Sequence, residues 1–125
     1  HVGGDHASDA VVMWVPDDRL LFLGDCWYQR LYAPVEHYTL AGLRRLVARL
    51  RSFAPHVAIE GHGDELLGTA TFAARLDELE RACDLVDRHG QRAIAAAAND
   101  EVRDLVRLLL AGNLPHEQPD RPGKE

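Results

Sequence analysis

At 125 residues the chain has the length of one ordinary domain, and its 46% hydrophobic content is enough to build a core. A formal net charge of −6 argues against a nucleic-acid or acidic-membrane surface, since both reward positive charge. No apolar run approaches the ~20 residues that a membrane-spanning helix requires.

Val11 to Val15 is a short β-branched and aromatic run, and Leu20 to Leu23 is a second apolar run. Pro16-Asp17-Asp18 supplies turn chemistry between them, so the two read as a β-hairpin. From Thr39 the period changes: Leu40, Leu43, Leu46, Val47, Leu50 and Phe53 recur three or four apart. That predicts an amphipathic helix with Thr39 as N-cap and Pro55 as stop. Arg44, Arg45, Arg49 and Arg51 fall between the apolar positions and read as the helix's solvated face. Val57 to Ile59 predicts a third strand, ended by Gly61-His62-Gly63. Phe72, Leu76, Leu79, Cys83 and Val86 mark one face of a long helix closed at His89-Gly90, with Cys83 a small core residue. Ile94 to Leu110 predicts one more helix, and the polar, Pro-rich residues 114–125 read as a disordered tail. Strand and helix alternate, which gives an α/β class with three strands and no internal repeat. Two cysteines make no disulfide framework, so a reducing compartment, the cytoplasm, is the default. The chain opens at His1, and its only methionine is Met13, which reads as a piece of a longer protein whose upstream part would carry any signal peptide.

The chemistry-bearing residues sit at predicted strand ends. Asp25 follows the second strand, His62 follows the third, and His6 lies in the loop entering the first. In α/β sheets functional groups collect at strand tips, where loops vary while the sheet holds positions. Two imidazoles and a carboxylate suit Zn²⁺, Fe²⁺ or Mn²⁺. Each of the three stands beside glycine, which permits the close backbone approach that strand-end ligands need. His1, His37, His56, His89 and His116 have no such setting and read as ordinary surface, strand-start or helix-end residues.

In combination, "HxxDxVVxxVPDDRLLFLGD" from His6 to Asp25 followed by "EGHGD" from Glu60 to Asp64 resembles the C-terminal half of the metallo-β-lactamase-fold hydrolases. Asp25 follows His6 by 19 positions and His62 follows Asp25 by 37, which is where members of that superfamily place a metal histidine, a bridging aspartate and a last metal histidine. The resemblance covers residues 1–90, with 91–113 an additional C-terminal helix. It implies half of an αββα sandwich: a short mixed sheet with flanking helices. It implies two zinc ions in the complete protein, or Fe²⁺ or Mn²⁺, with His6 on one, His62 on the other and Asp25 bridging them. The activity implied is hydrolysis of an ester, thioester, lactone or similar bond of a small molecule, by a metal-bound hydroxide that Asp25 orients. Trp27, Tyr28 and Tyr32 follow Asp25 and either wall a substrate pocket or pack beneath the loop.

The chain departs from the family pattern in one respect. The superfamily's His-x-His-x-Asp-His run does not occur in these residues, and three ligands are too few for two closed sites. The expectation is therefore that an N-terminal half of the same protein supplies the rest and that the 125 residues alone are inactive. The alternative is a non-catalytic half-domain whose open sheet face docks onto a partner, a second copy of the chain included. Asp25 holds the position that a cysteine takes in the best-known β-lactamases of this fold, which favours thioesterase- or lactonase-like chemistry over antibiotic hydrolysis. The absence of a basic patch disfavours the nucleases.

Overall fold

The computed structural model describes residues 1–31 and 36–113; Tyr32 and the expected tail at 114–125 lie outside the described residues. The chain is α/β, with a small four-stranded mixed open sheet. Strands β1 (Met13–Val15) and β2 (Leu20–Gly24) form the antiparallel hairpin expected around Pro16-Asp17-Asp18. Helix α1 (Leu40–Arg51) follows, and β3 (Val57–Glu60) returns parallel to β2. A fourth strand, β4 (Leu66–Gly68), lies antiparallel on β3, giving the order β1-β2-β3-β4. Three residues are too few to show a period, which is why β4 is invisible to pattern reading. Helix α2 (Thr69–His89) then runs into a 3₁₀ turn at Gly90–Arg92, a short helix α3 (Ala93–Ala96) and helix α4 (Asp100–Asn113).

Two expected elements change at their edges. The first strand is shorter than the run Val11 to Val15, because Val11 and Val12 lie beyond the residues that pair with β2. The stretch from Ile94 to Leu110, expected as one helix, breaks at Ala97, whose backbone is extended. Asn99 causes the restart: its side-chain oxygen accepts from the Val102 N–H at 2.9 Å, a capping bond that competes with continued helix.

Alternation within the strands sorts the sheet's two faces. Leu21, Leu23 and Ala58 point into a single core that also takes Leu43, Leu46 and Leu50 from α1, Leu76 and Leu79 from α2, and Val106 and Leu109 from α4. Residues 91–113 thus share the core of residues 1–90. Across the outside of the helix layer, Arg44 pairs with Asp84 and Asp87 and Arg51 pairs with Asp77 and Glu80. The helical face expected to be merely solvated therefore carries an ion-pair ladder linking α1 to α2, though half-exposed pairs of this kind add little stability each.

The other face of the sheet is apolar and open. Met13, Phe22, Ile59 and Leu66 are aligned in one row across all four strands, and Val15, Leu20 and Val57 form a second row beside it. Met13 is 64% exposed and Leu66 69% exposed, with Phe22 also at the surface. A contiguous exposed apolar face of this kind is uncommon on a monomeric domain.

The core side makes a direct prediction. Leu21 is fully buried, so Leu21→Ala should cost about 2–5 kcal/mol of unfolding free energy, read as a shifted denaturation midpoint. A loss under about 0.5 kcal/mol, the range of a surface substitution, would place Leu21 on the wrong face.

Candidate metal centre

Strands β2 and β3 are parallel neighbours, so their C-terminal ends open at the same edge of the sheet. Gly24 is the register partner of Glu60, and the Gly61 N–H donates to the Gly24 carbonyl at 2.8 Å. Asp25, immediately past β2, and His62, two residues past β3, are thereby brought together. Gly24 has φ +53°, a left-handed conformation that few side chains tolerate, and it turns the chain sharply out of β2. Gly61 is required for a different reason. A Cβ there would lie 2.3 Å from Asp25 Oδ1, so only glycine lets the carboxylate rest against the β3 backbone.

His6 arrives from the N-terminal loop, which is tied down on both sides. The Asp5 carboxylate accepts from the Thr39 N–H at 3.0 Å and from the Thr39 hydroxyl at 2.7 Å. Thr39 Oγ1 in turn accepts from the Gly42 N–H at 3.2 Å, which is the expected N-cap of α1. The start of α1 therefore anchors the residue next to His6. The imidazole is oriented by its own bond: Nδ1 lies 3.1 Å from the Gln29 carbonyl, which can only accept, so Nδ1 carries the proton and Nε2 faces the site.

The three expected ligands converge. His6 Nε2 stands 3.6 Å from Asp25 Oδ2, and His62 Nε2 stands 3.1 Å from Asp25 Oδ1. Each histidine thus addresses a different oxygen of one carboxylate. Two atoms bound tetrahedrally to one zinc would stand roughly 3.3–3.6 Å apart, so both separations are near what a shared cation needs. The donor set, two imidazoles and a carboxylate, fits a borderline divalent ion. It is an open arc, and among the described residues no three His, Cys, Asp or Glu side chains form a group that could by itself hold a metal ion.

Of the aromatic residues after Asp25, Tyr28 is at the site and Trp27 is not. Trp27 is almost fully buried, stacks on Phe72 with ring centroids 5.9 Å apart, and lends its carbonyl to the Tyr38 hydroxyl at 2.7 Å. It packs beneath the loop and walls no pocket. The Tyr28 ring sits 6.3 Å from His6 and 5.7 Å from His62, in contact with both imidazoles. Its hydroxyl donates to Glu60 Oε2 at 2.9 Å; burial, and then that carboxylate, push the phenol above its ordinary range, so it stays a donor. Cys26 adjoins Asp25 but is buried, and desolvation pushes its thiol up to about 12, so it offers no thiolate to a metal near neutral pH. Glu60, Asp5 and the Gln29 carbonyl were not singled out by the sequence. Glu60 alone had a signal available, as the first residue of the "EGHGD" segment.

Compared with known proteins, the chain matches no family model, no curated protein and no solved structure. Among the described residues no helix is long and apolar enough to cross a membrane.

The contact at Gly61 is testable. Gly61→Ala should displace the Asp25 carboxylate and cost about 1–3 kcal/mol of stability, as overpacking against backbone does. Equilibrium denaturation measures the cost. Unchanged stability would mean that Asp25 does not rest on β3.

Proposed function

We propose that the chain is the C-terminal portion of a dinuclear metal-dependent hydrolase acting on an ester, thioester, lactone or similar bond. The observation that carries this reading is the splitting of one carboxylate between two imidazoles: His6 faces Oδ2 of Asp25 and His62 faces Oδ1. A carboxylate addressed from both sides by metal-type nitrogens is arranged to bridge two cations. The resemblance of the His6–Asp25 and Glu60–Asp64 segments to the metallo-β-lactamase-fold hydrolases points the same way.

Under this reading His6 holds one ion, His62 the other, and Asp25 both. Zinc, or another divalent ion of similar preference, would supply an activated water and stabilise the charge that develops on the bond being cleaved. The chain's own residues do the positioning. Gln29 fixes the His6 tautomer, Gly61 gives Asp25 its place, and Tyr28 packs against both histidines. Three ligands leave both sites incomplete, so the remaining ones would come from a further segment that also covers the apolar sheet face.

Two measurements test this. Isothermal titration of the 125-residue chain with Zn²⁺ should show weak binding, with no esterase or lactonase turnover. Nanomolar affinity in the monomer would mean that the site is already complete and the ligand assignment wrong. In a protein carrying the missing ligands, Asp25→Ala should abolish most turnover and lower metal content, the second ion leaving first, while the fold persists. Two ions per chain with full turnover would return Asp25 to an ordinary turn carboxylate.

A second reading rests on the open row Met13, Phe22, Ile59 and Leu66: a non-catalytic half-domain that docks through its sheet. Under it, Met13→Asp with Leu66→Asp would abolish self-association or partner binding in sedimentation, with zinc affinity unchanged.

A further inference from the structure

We infer that Glu60 and Tyr28 form a positioning pair that sets the two histidines for metal binding; this rests on the metal reading above and adds two residues to it. The weak point of the arc is His62. Its side chain is 73% exposed, and its ring contacts Asp25 and the tilted ring of Tyr28. An exposed imidazole beside two glycines has several rotamers open to it, and each must be given up when it takes a ligand position. Tyr28 reduces that freedom. Its ring meets His62 at 54° and His6 nearly edge-on at 70°, so one aromatic plane limits both imidazoles.

Tyr28 needs its own restraint, since it lies in a loop and is only half-buried. Its backbone is held by a turn, with the Tyr28 N–H donating to the Asp25 carbonyl at 3.1 Å. Its ring is held at the far end by the hydroxyl's bond to Glu60 Oε2 at 2.9 Å. Glu60 is the last residue of β3, so its backbone is fixed by the sheet, and its side chain lies close along Gly63, where a Cβ would stand 3.2 Å from Oε2. The restraint therefore passes from the sheet through Glu60 to Tyr28 and from Tyr28 to both imidazoles. Neither Glu60 nor Tyr28 need touch the metal. Hydrogen-bond partners of metal ligands commonly change affinity about 10–100-fold; this pair acts one contact further out, through a ring packed against the imidazoles.

The test is zinc affinity by isothermal titration, run with Zn²⁺ alone on the unsubstituted chain and three variants. Tyr28→Phe keeps the ring and the Glu60 charge but breaks the bond, and it should weaken zinc binding several-fold, up to about tenfold. Glu60→Ala should weaken it by at least as much, and Glu60→Gln, which keeps an acceptor oxygen, should recover part of the loss. In the double variant Tyr28→Phe/Glu60→Ala the effects should not add, because both act through one bond. The melting temperature of the metal-free variants should stay close to that of the unsubstituted chain, which separates positioning from loss of fold. If Tyr28→Phe binds zinc as the unsubstituted chain does while Glu60→Ala does not, Glu60 acts by charge alone and the pair is not a positioning device. If the unsubstituted chain itself binds no zinc, the metal reading and this inference fall together.

Discussion

The parallel pairing of β2 with β3 is the constraint on which the rest of this molecule depends. An antiparallel neighbour would send the end of β2 to the opposite edge from the end of β3, and Asp25 and His62 would be a strand length apart. Parallel strands need a crossover, and α1 supplies it. The helix does more than return the chain. Its buried face builds the core with Leu21 and Leu23, and its first turn, through Thr39, holds Asp5 beside His6. One β–α–β unit therefore places two of the three candidate ligands directly and the third through a cap.

The cap ties the start of α1 and the loop of the candidate centre to one group. Thr39 closes the first turn of α1 through Oγ1 and at the same time gives its own N–H and hydroxyl proton to Asp5. Helix capping alone would be satisfied by Thr39; the Asp5 contacts serve the loop. The candidate centre is thus built on groups that the fold already orders, and the entropy of fixing His6 is met largely by folding rather than by binding. The groups left least ordered are at the exposed side, where His62 relies on Tyr28 and Asp25.

The two faces of the sheet pose opposite problems. Toward the helices, Leu21, Leu23 and Ala58 are fully covered. Away from them, four aligned apolar side chains lie outside the core, Met13, Phe22 and Leu66 of them exposed, and the candidate centre lies at the edge of the same sheet. A single additional layer on the open face would bury the row and bring further side chains to that edge. That coincidence is the physical reason to read the open face and the open site together.

Much of this was legible in the residues themselves. The hairpin followed from Pro16-Asp17-Asp18 between two apolar runs, α1 from its three-and-four spacing and Thr39, and Cys83 as core from its place in the stripe of α2. These are local facts, decided by backbone chemistry and periodicity within a few residues. Glycine beside each of His6, Asp25 and His62 was also readable, but its purpose was not until Gly61 proved to lie against the Asp25 carboxylate. What only the tertiary structure decided depends on contacts between distant segments. Trp27 and Tyr28 are neighbours in sequence, yet one is core and the other touches two histidines. Glu60 became part of the site only through a bond to a residue 32 positions away. The short strand β4 exists because β3 offered it an edge, and α4 begins afresh because Asn99 found a backbone donor to cap. Periodicity reports which face of an element is apolar; which groups meet across elements is set by packing, and no local pattern carries that information.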